Sequence, residues 1–268
     1  MTRPLSISNI AWPAEHDDEA LTLIRAQGFT GVELAPRKVF GPLDQVAPGA
    51  LRDYRSRCDS MGLGIPALQG LLFGVEGVAL FGDDAGRAAL LAALSDVAVA
   101  AGLLGAHACV FGAPKLRDPG ALAPDAAFDL AVGFFRRVGE IYAGEGTALT
   151  FEANAEAYGC RFVTRTEEAI DFVAAVGSPG LRLQIDTGTM FMNGEDPSVI
   201  GRAVPYAGHF HASEPQLAPL GTGGDHAPIA AALNEAGYDG SRSVEMRIAE
   251  DWRGAVIDAA RLMNTIYG

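Results

Sequence analysis

Ala148-Leu149-Thr150-Phe151-Glu152 and Leu181-Arg182-Leu183-Gln184-Ile185-Asp186 are short, largely apolar runs that each end on a carboxylate. Two later runs follow the same plan: Ala207-Gly208-His209-Phe210 leads into His211, and Ser243-Val244 leads into Glu245. They recur about every 25 to 35 residues, the length of one strand, one helix and two loops in a parallel α/β fold. Parallel strands put all their C-terminal ends on one face, so side chains at successive strand ends are expected to share a site.

The same alternation extends over the rest of the chain. Strands are predicted at 5–11, 31–35, 64–71, 107–111, 148–153, 181–186, 207–212 and 241–247. Helices are predicted between and after them at 18–27, 48–61, 84–101, 124–143, 166–176, 197–203, 227–236 and 255–267. Gly28, Gly62, Gly102, Gly177 and Gly237 follow helical runs, where a left-handed stop is cheapest for glycine. Eight strands alternating with eight helices predict a single (β/α)8 TIM barrel over residues 1–268. An open doubly wound sheet is the rival, but it rarely needs so many even repeats, and no glycine-rich dinucleotide fingerprint follows the first strand.

Bulk properties agree. The 268 residues are 49% apolar, enough for one large core. A net charge of −13 argues against a nucleic-acid partner, which needs clustered Lys and Arg. The acidity does not exclude a small anionic substrate, which needs only one or two local cations, and pairing into a homo-oligomer is left open. Cys58, Cys109 and Cys160 are odd in number and widely spaced, which reads as buried thiols in a reducing compartment. No secretion signal or apolar run of membrane-spanning length is evident, so a cytoplasmic protein without a membrane partner is expected.

Strand period two places Glu152 with Asn154 on one face, Gln184 with Asp186, His209 with His211 and Ser213, and Ser243 with Glu245 and Arg247. If those faces point into the barrel mouth, Glu152, Asp186, His211 and Glu245 converge as metal ligands. Taken singly each has a plainer reading: Asp186 before Thr187-Gly188 suits a turn, and a lone His211 suits a packed core. Four at matching strand ends point to one divalent cation. Three carboxylates and one imidazole suit Mn²⁺, with Mg²⁺ or Co²⁺ as alternatives, whereas a structural zinc site uses thiolates more often.

These motifs resemble the xylose-isomerase-like superfamily of sugar isomerases and epimerases. The resemblance is carried by Thr150-Phe151-Glu152-Ala153-Asn154, Gln184-Ile185-Asp186-Thr187-Gly188, His209-Phe210-His211-Ala212-Ser213-Glu214 and Ser243-Val244-Glu245. Gly31-Val32-Glu33-Leu34 and Val110-Phe111-Gly112-Ala113-Pro114-Lys115 extend it. It implies a barrel with one divalent cation at its C-terminal mouth, held by the residues matching Glu152, Asp186, His211 and Glu245. Glu152 and Glu245, from opposite sides of the ring, also resemble the acid/base pair of ketose 3-epimerases. Such epimerases usually carry a histidine three residues beyond the metal Asp and an arginine six beyond the metal His. Thr189 and Leu217 stand there instead, which puts the standard free-ketose substrate in doubt.

The activity that the resemblance implies is therefore a metal-dependent isomerase or epimerase of a sugar or sugar derivative, with a small-molecule carbohydrate as its partner. The alternative is a lyase or dehydratase, because the same enolate can expel a neighbouring oxygen. A repair endonuclease needs more histidines and acids and fits the acidic balance poorly. A non-catalytic barrel would be expected to have lost a ligand.

Substrate contacts are expected from Asn9, Glu33, Lys115, Arg117, Asn154, His226 and Arg247. Each has a competing role. Lys115 and Arg117 bind an anionic group or are solvated loop charges. Arg247 contacts substrate or orients Glu245; His226 bonds substrate or starts a helix. Glu33 bonds sugar hydroxyls or a site lysine, or makes a buried ion pair. Asn9, Trp12 and Phe73 can wall a sugar ring, Gln69 is a weaker polar candidate, and His209 is read as packing behind the ligands.

Overall fold

The predicted alternation becomes eight parallel strands: β1 Leu5–Ser8, β2 Gly31–Glu33, β3 Ala67–Leu68, β4 Ala108–Phe111, β5 Ala148–Glu152, β6 Leu181–Asp186, β7 Ala207–Ser213 and β8 Arg242–Glu245. The structure is a computed structural model that describes residues 3–268. Strands pair in the order β2-β1-β8-β7-β6-β5-β4-β3. Only bridges join the two ends of that order, Gly31 with Gly64 and Leu34 with Leu68, both parallel. They close the ring into a TIM barrel. Pro66 explains why β3 is so short: it has no N–H to donate to a ladder, and its ring sits where a Cβ on Gly31 would approach to 3.0 Å.

A helix follows each strand on the outside: 17–26, 48–60, 84–104, 124–144, 166–176, 199–203, 226–235 and 252–262. Their ends follow local chemistry. Asp83, Asp225 and Asp251 accept backbone N–H groups at three N-termini. Gly105, at φ 76°, ends the helix at 84–104 in the left-handed region. Two helices were not expected, Pro36–Phe40 and Thr187–Asn193. The second starts directly on Asp186, whose side chain accepts the Thr189 N–H at 2.6 Å.

Period two sorts each strand between two environments. On β5, Leu149 and Phe151 face the helices while Thr150 bonds Gln184 across the barrel interior at 3.1 Å. Phe151 meets Phe135 edge-on at 5.1 Å, and Phe135 meets Phe172 at 5.7 Å, fusing the helices at 124–144 and 166–176 to the strands. Each such ring contributes about 1.5–3 kcal/mol by leaving water.

The helix Asp84–Leu104 corrects one expectation: its 21 residues are long and apolar enough to cross a membrane by length and composition. Its Leu90, Leu94, Val97 and Ala98 are buried within the barrel's own core, so the apolar run is accounted for by packing. All three cysteines are free and buried, as expected.

Candidate metal centre

β5, β6, β7 and β8 deliver Glu152, Asp186, His211 and Glu245 to one point. The register pairs Asp186 with His211, and Ser213 with Glu245. One ligand atom from each of the four residues lies within 4.8 Å of the others. His211 is fully buried, and its Nδ1 stands 3.2 Å from Glu245, 3.7 Å from Glu152 and 4.0 Å from Asp186. That nitrogen has no hydrogen-bond partner. A buried lone nitrogen aimed into three carboxylates fits the donor set of a divalent cation.

The surrounding bonds hold this set in place. Glu33 lies behind His211 and accepts its Nε2–H at 2.9 Å, leaving Nδ1 to face the carboxylates. The other Glu33 oxygen meets His209 Nε2 at 3.2 Å. Asn154 donates to Glu152 Oε2 at 2.7 Å, and Arg117 Nη2 donates to Asn154 Oδ1 at 2.7 Å. Asp186 has its oxygens split between the Thr189 amide and the Ser213 hydroxyl.

Electrostatics show surplus negative charge. Burial and the neighbouring Asp186 and Glu245 push the Glu152 carboxyl up to about 8. Burial and Glu245 also raise Asp186. Burial opposes a charge on His211, but Glu33 and Glu245 outweigh it and hold the imidazole well above its ordinary range. Burial likewise opposes charge on Glu33, and the paired His211 and His209 outweigh it, holding that carboxyl well below the usual range. Protons bound at Glu152 and His211 therefore partly compensate the charge that a cation would balance.

Two chambers open on the cluster. The smaller, about 250 Å³, is lined by Asn154, Tyr158, Asp186, Thr189, Ser213 and Leu217 among others. The larger, about 620 Å³, runs along the loops after β3 and β4. Both border Glu152 and Glu245.

Of the expected substrate contacts, Asn154 and Lys115 line these chambers. The others lie elsewhere. Glu33 is buried beneath His211 with both oxygens taken, so it does not face sugar hydroxyls. Arg117 is fully buried, stacked 4.7 Å over Phe151 and bonded to Asn154, rather than reaching an anion in solvent. Asn9 is buried with its Oδ1 on the Ala35 amide. His226 is buried between Tyr267 at 2.8 Å and Glu214 at 3.3 Å. Arg247 is exposed, because β8 stops at Glu245 and the alternation of faces stops with it. Trp12 is fully buried with its Nε1–H on Asp17, whereas Phe73 and Gln69 do line the larger chamber.

Tyr158 and Gly112 were given no role from the sequence, and Ser213 was placed on the face of His211 without one. Ser213 shares a strand face with His211, a signal that was legible. Tyr158 lies in a loop without periodicity, and its hydroxyl accepts the Gln216 amide at 2.9 Å. Gly112 has no side chain to read, yet a Cβ there would come within 2.4 Å of Glu152 Oε2.

A family model described as xylose isomerase-like TIM barrel matches residues 21–266. No curated protein matches the chain. Among solved structures, a D-psicose 3-epimerase superposes with a TM-score of 0.82 at 17% identity, covering 99% of each chain. An L-ribulose 3-epimerase gives 0.83 at 21% identity, covering 99% of this chain and 94% of that one. A 3-keto-D-glucoside 4-epimerase from E. coli gives 0.81 at 18% identity, covering 98% and 100%. At these identities the likeness establishes the fold alone.

Proposed function

This chain belongs to the xylose isomerase-like TIM barrel family, and on that premise we propose that it is a divalent-metal-dependent epimerase or isomerase of a sugar or sugar derivative. One observation carries the proposal: a ligand atom from each of Glu152, Asp186, His211 and Glu245 lies within 4.8 Å of the rest at the barrel mouth. Support also comes from fold neighbours whose names are those of sugar epimerases. The oxygen-rich set with one imidazole favours Mn²⁺, then Mg²⁺ or Co²⁺.

When bound there, the cation supplies Lewis acidity to a substrate carbonyl and its neighbouring hydroxyl, making the adjacent C–H easier to deprotonate. The protein's own groups do the rest. Asn154 holds one oxygen of Glu152, which fixes the direction of the other. Glu152 and Glu245 come from β5 and β8, with β6 and β7 between them, and both border the two chambers. One carboxylate removes the proton from one face of the carbon, and the other returns a proton to the opposite face, inverting it. Thr189 and Leu217, at the positions where ketose epimerases usually carry a histidine and an arginine, line the smaller chamber, which argues against a free ketose as the substrate.

Solvent deuterium exchange into the substrate carbon is the test. Glu152→Gln and Glu245→Gln are each expected to slow it by about 10²–10⁴-fold. Full exchange in both variants would remove the pair from this role. Product mass separates the alternative: unchanged mass marks an epimerase or isomerase, and loss of water marks a lyase.

A further inference from the structure

The chain leaving β4 departs from ordinary geometry at three positions, and all three converge on Glu152. A Cβ on Gly112 would come within 2.4 Å of Glu152 Oε2 and 3.2 Å of Asn154 Oδ1, so glycine alone leaves that pair its place. Ala113 stands in the left-handed region at φ 45°, a conformation unfavourable for a residue with a Cβ. The next four residues, Pro114–Arg117, form a 3₁₀ turn held by the Leu80 amide on the Leu116 carbonyl at 2.8 Å. Arg117 ends that turn fully buried.

Arg117 is a poor choice for stability. Its Nη2 donates to Asn154 Oδ1 at 2.7 Å and its guanidinium lies 4.7 Å over Phe151. Nε and Nη1 have no hydrogen-bond partner among the described residues. Asp118, next in sequence, turns instead to the Gly120 amide at 3.0 Å and to Arg161 at 3.5 Å. An interior charge so sparsely partnered opposes folding in a way that an apolar side chain would not.

Its donor chemistry accounts for its presence. A guanidinium only donates, so Asn154 must turn Oδ1 towards it and Nδ2 away. Nδ2 then donates to Glu152 Oε2 at 2.7 Å, which occupies that oxygen. Oε1, 3.7 Å from His211 Nδ1, is left for the candidate centre. Without the guanidinium the amide is free to flip, and a flipped amide sets its Oδ1 against the carboxylate.

We infer that Arg117 is a positioning residue: acting through Asn154, its buried charge aims Glu152 Oε1 at the cation site and lowers fold stability in doing so. The inference rests on the proposed function for what Glu152 does there, and adds the residue that keeps it aligned.

The test compares Arg117→Met, Arg117→Lys, Asn154→Ala and the double variant Arg117→Met with Asn154→Ala, each in the full chain. Manganese affinity is read by competition with a chelator, and the thermal midpoint is read in chelator. Arg117→Met is expected to weaken manganese binding about 10–100-fold while melting no lower than the unmodified chain. Arg117→Lys, which keeps a charged donor, is expected to lose less affinity. Added to Asn154→Ala, Arg117→Met is expected to weaken binding little further, since the two act in series. Unchanged affinity in Arg117→Met overturns the inference, and so does a loss that appears in full on both backgrounds. A lower midpoint accompanying the loss also overturns it, because Arg117 is then an ordinary support of the fold. Weakened manganese binding in Arg117→Met beside full deuterium exchange in Glu152→Gln retires the acid/base role and leaves the positioning role standing. Exchange lost in Glu152→Gln, with manganese affinity untouched in Arg117→Met, does the reverse.

Discussion

Glu33 decides which nitrogen of His211 faces the carboxylates. Its place at the end of an apolar second strand gives neither direction nor depth, so a contact with sugar hydroxyls or a site lysine and a buried ion pair remained equivalent readings. In the structure it lies under His211 and receives both histidines. Glu33→Gln keeps the volume and removes one acceptor, so one imidazole loses its orienting partner. Cation affinity is expected to fall about 10–100-fold, measured by competition with a chelator; unchanged affinity would show that His211 needs no such support. Arg117 teaches the same lesson. Its charge suggested an anion contact, whereas its position over Phe151 makes it the anchor of Asn154 and thus of Glu152.

At the scale of elements, strand and helix order followed the hydrophobic pattern closely, with β6 and the helix at 166–176 matching their expected bounds. The misses have local causes. Pro66 shortens β3, and β8 ends at Glu245 because the Arg247 amide turns to the Leu217 carbonyl at 2.9 Å. The helix at Thr187–Asn193 was unseen because it is one short segment nucleated by the Asp186 cap. Packing between elements left even less trace. A Cβ on Gly180 would sit 1.9 Å from the Gly139 carbonyl, so the helix at 124–144 approaches β6 with only glycine between. Gly180→Ala is expected to destabilise the fold by about 1–3 kcal/mol in chemical denaturation. A neutral result would mean that the helix slides away without penalty.

For the molecule as a whole, the candidate centre concentrates like charge inside a structure that is already acidic, with a net charge of −13. Glu152 binds its proton up to about 8 in the folded chain, against an ordinary 4.5. Between those values the folded chain holds a proton that the unfolded chain releases, so metal-free stability falls as pH rises across that window. Asp186 is raised too and acts in the same direction. The raised His211 contributes stability that is present at low pH and lost as pH rises through its folded value. Glu33, held low, contributes stability that is full above its ordinary 4.5 and declines as pH falls below that value. Thermal melts with chelator are therefore expected to decline from about pH 5 to 8. Glu152→Gln is expected to flatten that slope, and manganese at about 100 times its Kd to add about 3 kcal/mol. A chelated protein that gains stability over this range would contradict the charge arrangement.

The chain alone determined the barrel and the positions of four polar strand ends, because alternation and strand period are local properties that survive without contacts. It also showed Thr189 and Leu217 at the two positions where the family resemblance leads one to look for a histidine and an arginine. Tertiary structure decided depth and neighbourhood: that Glu33, Arg117 and His226 are buried supports rather than cavity walls, and that two chambers meet at Glu152 and Glu245. Those facts depend on how far apart residues distant in sequence come to rest once the ring closes, which no single segment encodes.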